Sequence, residues 1–96
     1  MLEQLSVEDF LPLLGKNVTV EADAGSGELE VKEAAIIHSP SPRATPAFHL
    51  ILRSASGWCL PQGIFRLQHP AHGDLDLFAV PIGPDGQGLC YEIIFN

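Results

Sequence analysis

No run in this chain approaches the roughly eighteen consecutive apolar residues of a membrane-spanning helix. Its opening, MLEQLSVEDF, is acidic where a secretory leader is basic. Both absences point to a soluble, cytoplasmic protein with no membrane partner. Cations are scarce as well: five Lys and Arg face twelve Asp and Glu, for a formal net charge of -7 and a pI near 4.8. Such a field repels phosphate backbones and argues against nucleic acid as a partner. The acids are scattered from Glu3 to Glu92, as on a solvated surface. Cysteine is limited to Cys59 and Cys90, distant in sequence and in no C-x-x-C pattern, so two reduced, partly buried thiols are expected in place of a disulfide.

Motifs of catalysis and phosphate binding are missing. There is no G-x-x-x-x-G-K-[ST], no G-x-G-x-x-G and no G-x-S-x-G. Gly83, Gly86 and Gly88 follow one strand pattern but lead into another, so they serve a turn. Cys59 lies beside no base in sequence and opens no helix. With 96 residues, the chain is one domain (1–96) with little room for a deep pocket in addition to a core. These features exclude a familiar enzyme framework, call for no cofactor, and favour a protein that is not an enzyme.

What is present is a change of hydrophobic period. Ser6-Val7-Glu8-Asp9 is a helix-capping pattern, and Leu5, Phe10, Leu13 and Leu14 supply an apolar stripe for a helix over about 3–14. Pro12 falls inside that span and makes the helix short, kinked or restarted; Gly15 ends it. From Asn17 the rhythm is that of strands: 17–22, a turn over Ala22–Gly27, and 28–37. An exposed, proline-rich connection follows over His38–Pro46. Further strands run over Phe48–Arg53, Gly63–His69 and Leu89–Phe95, with Ser54–Gly57 turning the chain. The nearly unbroken apolar run Leu75–Ile82 reads as a strand covered on both faces, and Pro84-Asp85-Gly86 as a reversal.

The expected fold is mainly β (α+β): a small antiparallel six-stranded barrel or sandwich over 17–96, with a short N-terminal helix capping one end. A meander, closed or half closed, is the simplest topology, and the last strand, ending at Asn96, then offers an open edge for self-association. The five phenylalanines and Tyr91 are expected in the core. Trp58, beside Pro61, fits either core or a partner surface.

One stretch looks like chemistry. RLQHPAHGDLDLF, Arg66–Phe78, puts two histidines and two aspartates close together. Imidazole and carboxylate are zinc ligands, so His69, His72 and Asp74, with His49, form the alternative reading of a metal or small-ligand site over His69–Asp76. H-x-x-H is not the i, i+4 spacing of a helical metal site, however. The favoured reading is a hairpin corner, in which Pro70 and Gly73 set the backbone, Asp74 accepts from turn N–H groups and His69 shares a strand face with Phe65 and Leu67.

The ending LPQGIFRLQHPAHGDLDLFAVPIGPDGQGLCYEIIFN and the opening SVEDFLPLLGKNVTV resemble a family of small bacterial proteins of unknown function. Gln62, Gly63, His69, Pro70, Gly73, Leu77, Phe78, Pro81, Gly83, Tyr91, Glu92, Phe95 and Asn96 carry the resemblance; His72 does not belong to the pattern, and Ala22–Pro46 carries no matching motif. The resemblance implies an accessory or structural role beside phage-tail-like genes. The expected function is therefore a structural or protein-interaction module, whose partner is another protein or a second copy in a homodimer.

Overall fold

The structure, a computed structural model, describes residues 5–37, 46–54 and 59–95. Alternation of apolar and polar side chains builds six strands: β1 (Asn17–Ala22), β2 (Gly25–Ile36), β3 (Phe48–Ser54), β4 (Gly63–His69), β5 (Gly73–Pro84) and β6 (Leu89–Phe95). Side chains two apart share a face. Val18 and Val20, Leu29 and Val31, Leu50 and Leu52, Phe65 and Leu67, Leu75 and Leu77, and Tyr91 and Ile93 all point into one interior. The strands close into an antiparallel barrel in the order β1-β2-β3-β6-β5-β4.

That order differs from a simple meander. Two three-stranded meanders, β1-β2-β3 and β4-β5-β6, are joined through β3 against β6 and β1 against β4. The β3–β6 ladder runs without interruption from Phe48↔Phe95 to Ser54↔Leu89. The expected open edge on the last strand is not found, because β6 pairs with both β3 and β5. Closure is what removes it. Where β5 runs on beyond Gly63↔Ala79, its last β4 partner, it carries Pro81 and Pro84, which present no N–H to a neighbouring strand.

The N-terminal helix is two consecutive 3-10 turns, Val7–Asp9 and Leu11–Leu13, restarted at Phe10 with Pro12 in the second. Leu5, Phe10 and Leu13 are buried and Leu14 is exposed. Gly15, at φ 79, turns the chain so that its N–H reaches the carbonyl of Val31. Phe10 enters one end of the barrel, within 5.8 Å of the Phe48 ring, 5.6 Å of Phe95 and 5.1 Å of His69.

Several expectations are revised. The turn over Ala22–Gly27 shrinks to Asp23 and Ala24, since Ala22 pairs with Gly25 and Val20 with Gly27. The run Leu75–Ile82 is covered on one face only: Leu75, Leu77 and Ala79 are buried, whereas Phe78, Val80 and Ile82 face outward. Phe78 is thus outside the core that Phe10, Phe48, Phe65 and Phe95 fill. Both cysteines are free; Cys90 is buried, but Cys59, expected to be partly buried, is exposed. Trp58, and the connections over 38–45 and 55–57, lie outside the described residues.

Candidate functional site

The histidine-rich turn joins β4 to β5. His69 pairs with Gly73, leaving Pro70-Ala71-His72 as a three-residue loop, and Gly73 at φ 76 supplies the left-handed residue such loops use. The His69 ring is buried and commits both nitrogens. Nδ1 accepts the N–H groups of Ala71 (3.0 Å) and His72 (3.3 Å), so Nε2 carries the proton and donates it to the Asp9 carbonyl at 2.7 Å. The turn N–H groups are therefore accepted by His69, not by Asp74, which is exposed opposite Gln68. His72 Nε2 lies 3.0 Å from Asp9 Oδ1, while Oδ2 accepts the Ser6 N–H at 2.8 Å. The Ser6 backbone N–H, and then His72, hold the Asp9 carboxyl below the usual carboxylate range.

The four residues of the metal reading are not gathered around one point, and His72 turns to Asp9. His69 has no nitrogen left for an ion, Asp74 faces solvent, and His49 lies on the outer face of β3. Among the described residues, no three His, Cys, Asp or Glu side chains are grouped to hold a metal ion. The missed participant is Asp9, distant in sequence, which ties the capping turn to the hairpin corner through its carbonyl and its carboxylate. Its only signal was the capping pattern. Two variants separate the roles. His69→Ala empties a buried ring site and leaves two partly buried N–H groups and a carbonyl without their partner, and is expected to cost about 2–4 kcal/mol. His72→Ala removes a partly exposed hydrogen bond to Asp9 and is expected to cost less than about 1 kcal/mol; chemical denaturation of the two proteins gives both numbers.

A second polar group spans β2, β3 and β6 on the outer wall. His49 Nδ1 lies 2.9 Å from Glu92 and Nε2 2.7 Å from Glu33. Only the imidazolium can donate through both nitrogens. Burial pulls the His49 pKa down, but the hydrogen bonds to Glu92 and Glu33 outweigh it and the net shift is upward from 6.5. A raised folded-state pKa stabilises the fold fully below the unfolded value and loses that contribution as pH rises through the folded value. Melting temperature is expected to fall as pH climbs from about 6.5 through the raised folded-state value, and His49→Gln is expected to flatten that slope. A slope unchanged in the variant rules the bridge out as its source. The depressed carboxyls Asp9, Asp76 and Asp85 act below 3.8, a separate window.

Beside it, Arg53 bridges Glu30 at 2.7 Å and Asp85 at 2.8 Å, and Lys32 reaches Asp85 at 2.9 Å. Asp85 Oδ1 also accepts the N–H groups of Gln87 and Gly88, fixing the reversal before β6. Lys32 and Arg53 hold its carboxyl far below the usual range. Cys90 is covered here, and burial pushes its thiol up.

The remaining outer wall, over β4, β5 and β6, is apolar. Ile64 lies opposite Phe78, and continuing the Val80↔Glu92 register places Ile94 on the other side of Phe78. Val80 and Ile82 extend the row along β5. These side chains are open to solvent by 57% (Ile64), 53% (Phe78), 51% (Ile94), 37% (Val80) and 52% (Ile82). The hydrophobic effect works against leaving so many adjacent apolar groups in water. The Leu75–Ile82 run contained this signal: in a closed barrel whose described residues hold no helix over this wall, its alternate residues face outward. A separate open groove of about 520 Å³ lies where β1 and β4 part, lined by Leu13, Lys16, Thr19, Gln68 and Asp74 among others. Its walls offer neither a paired acid and base nor an activated nucleophile.

Among the described residues no helix is long and apolar enough to cross a membrane. No curated protein and no solved structure matches the chain. The model of one family, described as a domain of unknown function (DUF6916), matches residues 5–95, from the buried Leu5 before the capping turn to the end of β6. The chain belongs to that family.

Proposed function

We propose that this protein is a non-enzymatic interaction module that docks a protein partner on the outer wall of β4, β5 and β6. The observation that carries the reading is the apolar row Ile64-Phe78-Ile94 with Val80 and Ile82, at least a third exposed at every position. Monomers rarely leave contiguous apolar patches larger than a few hundred Å² uncovered, and larger ones mark interfaces. Closure of the barrel directs a partner to a face, since among the described residues the ladders leave no full-length strand edge for addition. The histidine turn is engaged in holding the N-terminal segment, which leaves it a structural part. The resemblance of the opening and of the segment from Leu60 onward to small bacterial proteins of unknown function implies a place beside phage-tail-like genes, and an accessory component of such an assembly is the setting of this proposal.

Size-exclusion chromatography with light scattering, on the protein alone and mixed with the products of neighbouring genes, tests it. At least one neighbour is expected to co-elute with the wild type and to be lost by Phe78→Ser. A strict monomer that captures none of them overturns the reading.

A further inference from the structure

The apolar wall is bordered by unequal charge. On the β6 side stand Glu92, directly opposite Val80, and Glu33, the two carboxylates sharing the single ring of His49. On the β4 side Arg66 is held by Asp76, 2.9 Å from Nε, and Asp74 lies next to them along β5. Hydrogen bonding to Asp76 raises the Arg66 pKa, and Asp74 and Glu21 are near enough to raise it further. Among the described residues, five carboxylates, Glu21 included, thus rim the face against one guanidinium and one shared imidazole. The other cations of this wall, Lys32 and Arg53, are both engaged with Asp85.

From this we infer that the docking face is built for a protein segment whose apolar side chains are flanked by lysine or arginine. The inference rests on the docking reading above and adds the partner's chemistry. A cationic flank meets Glu33 and Glu92 along the β6 side and Asp74 at the end of the β5 row, while its apolar residues cover Phe78 and its neighbours. Complementary charge at a rim steers encounter and selects among partners, and the apolar centre supplies most of the affinity. A second copy of this chain brings a second acidic rim and a second charge of -7 to the same face. An anionic lipid surface meets the same repulsion. Neither matches the rim as a basic segment does.

The test uses a library of random dodecapeptides made by messenger-RNA display, selected on the whole protein and counter-selected on Phe78→Ser. Phe78 is outward, so this variant keeps the barrel, which circular dichroism verifies. Face-dependent binders are expected to be rich in Lys and Arg beside apolar residues. Phe78→Ser is expected to weaken a chosen binder more than about ten-fold, and Glu33→Gln with Glu92→Gln about two- to five-fold, the latter loss shrinking at high salt. Face-dependent binders that are neutral or acidic overturn the charge inference and leave the docking reading standing. If no binder depends on the face, both fall. Sedimentation showing a dimer that Phe78→Ser abolishes also overturns the inference, in favour of a second copy.

Discussion

Phe10→Ala is expected to cost about 3–5 kcal/mol, the range for removing a fully buried aromatic side chain. Phe10 is 0% exposed, and its ring touches Phe48, Phe95 and His69, where Phe48 and Phe95 are themselves stacked at 4.3 Å across the β3–β6 ladder. Those three come from β3, β6 and β4, so one side chain from a pair of 3-10 turns secures strands of both meanders. The 3-10 backbone has little intrinsic stability, and this anchor does much of the holding. A domain of this size has only about 5–15 kcal/mol in total, and a loss of 3–5 kcal/mol corresponds to at least about 12 °C in melting temperature. Thermal unfolding followed by circular dichroism measures it, and Phe10→Leu, which refills part of the volume, is expected to recover part of the loss. A cost below about 1 kcal/mol excludes Phe10 as the plug of the barrel.

Gly88→Ala is expected to cost at least about 2–3 kcal/mol, because a side chain there overpacks a rigid ladder end. A Cβ on Gly88 is driven against the carbonyl of Ser54, lying 2.9 Å from its carbon and 3.0 Å from Arg53 Cγ. Ser54 pairs with Leu89, so the backbone that has to yield is the end of the β3–β6 ladder. Gly86 provides the contrast. Its φ of +92° strains any other residue, yet the space around it is open, and Gly86→Ala is expected to cost only about 1 kcal/mol. Urea unfolding of both variants, with the slope of each transition compared, separates close approach from backbone strain. Equal costs refute the distinction.

Much of the architecture was readable from hydrophobic period. Strands over 17–22, 48–53, 63–69 and 89–95 follow directly from alternation, and Pro12 announced the restarted helix. Two kinds of information were not local. The strand order depends on which ladders satisfy distant backbone groups, and nothing in β3 or β6 alone says that Phe48 faces Phe95. The outward turn of Phe78, Val80 and Ile82 depends on the number of layers, since an apolar run is the same in a covered strand and in an uncovered barrel wall. The histidine cluster shows the same limit. His69 and His72 resembled ligands because Asp9, the residue that engages both, stands sixty positions away from the first of them.

The unequal lengths of the two closing ladders say how the molecule opens. Among the described residues β3 and β6 share a continuous ladder, whereas β1 and β4 are bridged at Val20↔Leu67 and Glu21↔Arg66. Sub-global opening is therefore expected to unzip β1 from β4 first and to leave an open, twisted six-stranded sheet with two raw edges. That transient species, not the native barrel, is the one that can exchange strands with a neighbour or seed aggregation. Hydrogen exchange is expected to reach the amides of the β1–β4 ladder before those between β3 and β6, and substitutions that loosen this seam, Arg66 and Glu21 among them, are the ones to avoid when the protein is concentrated.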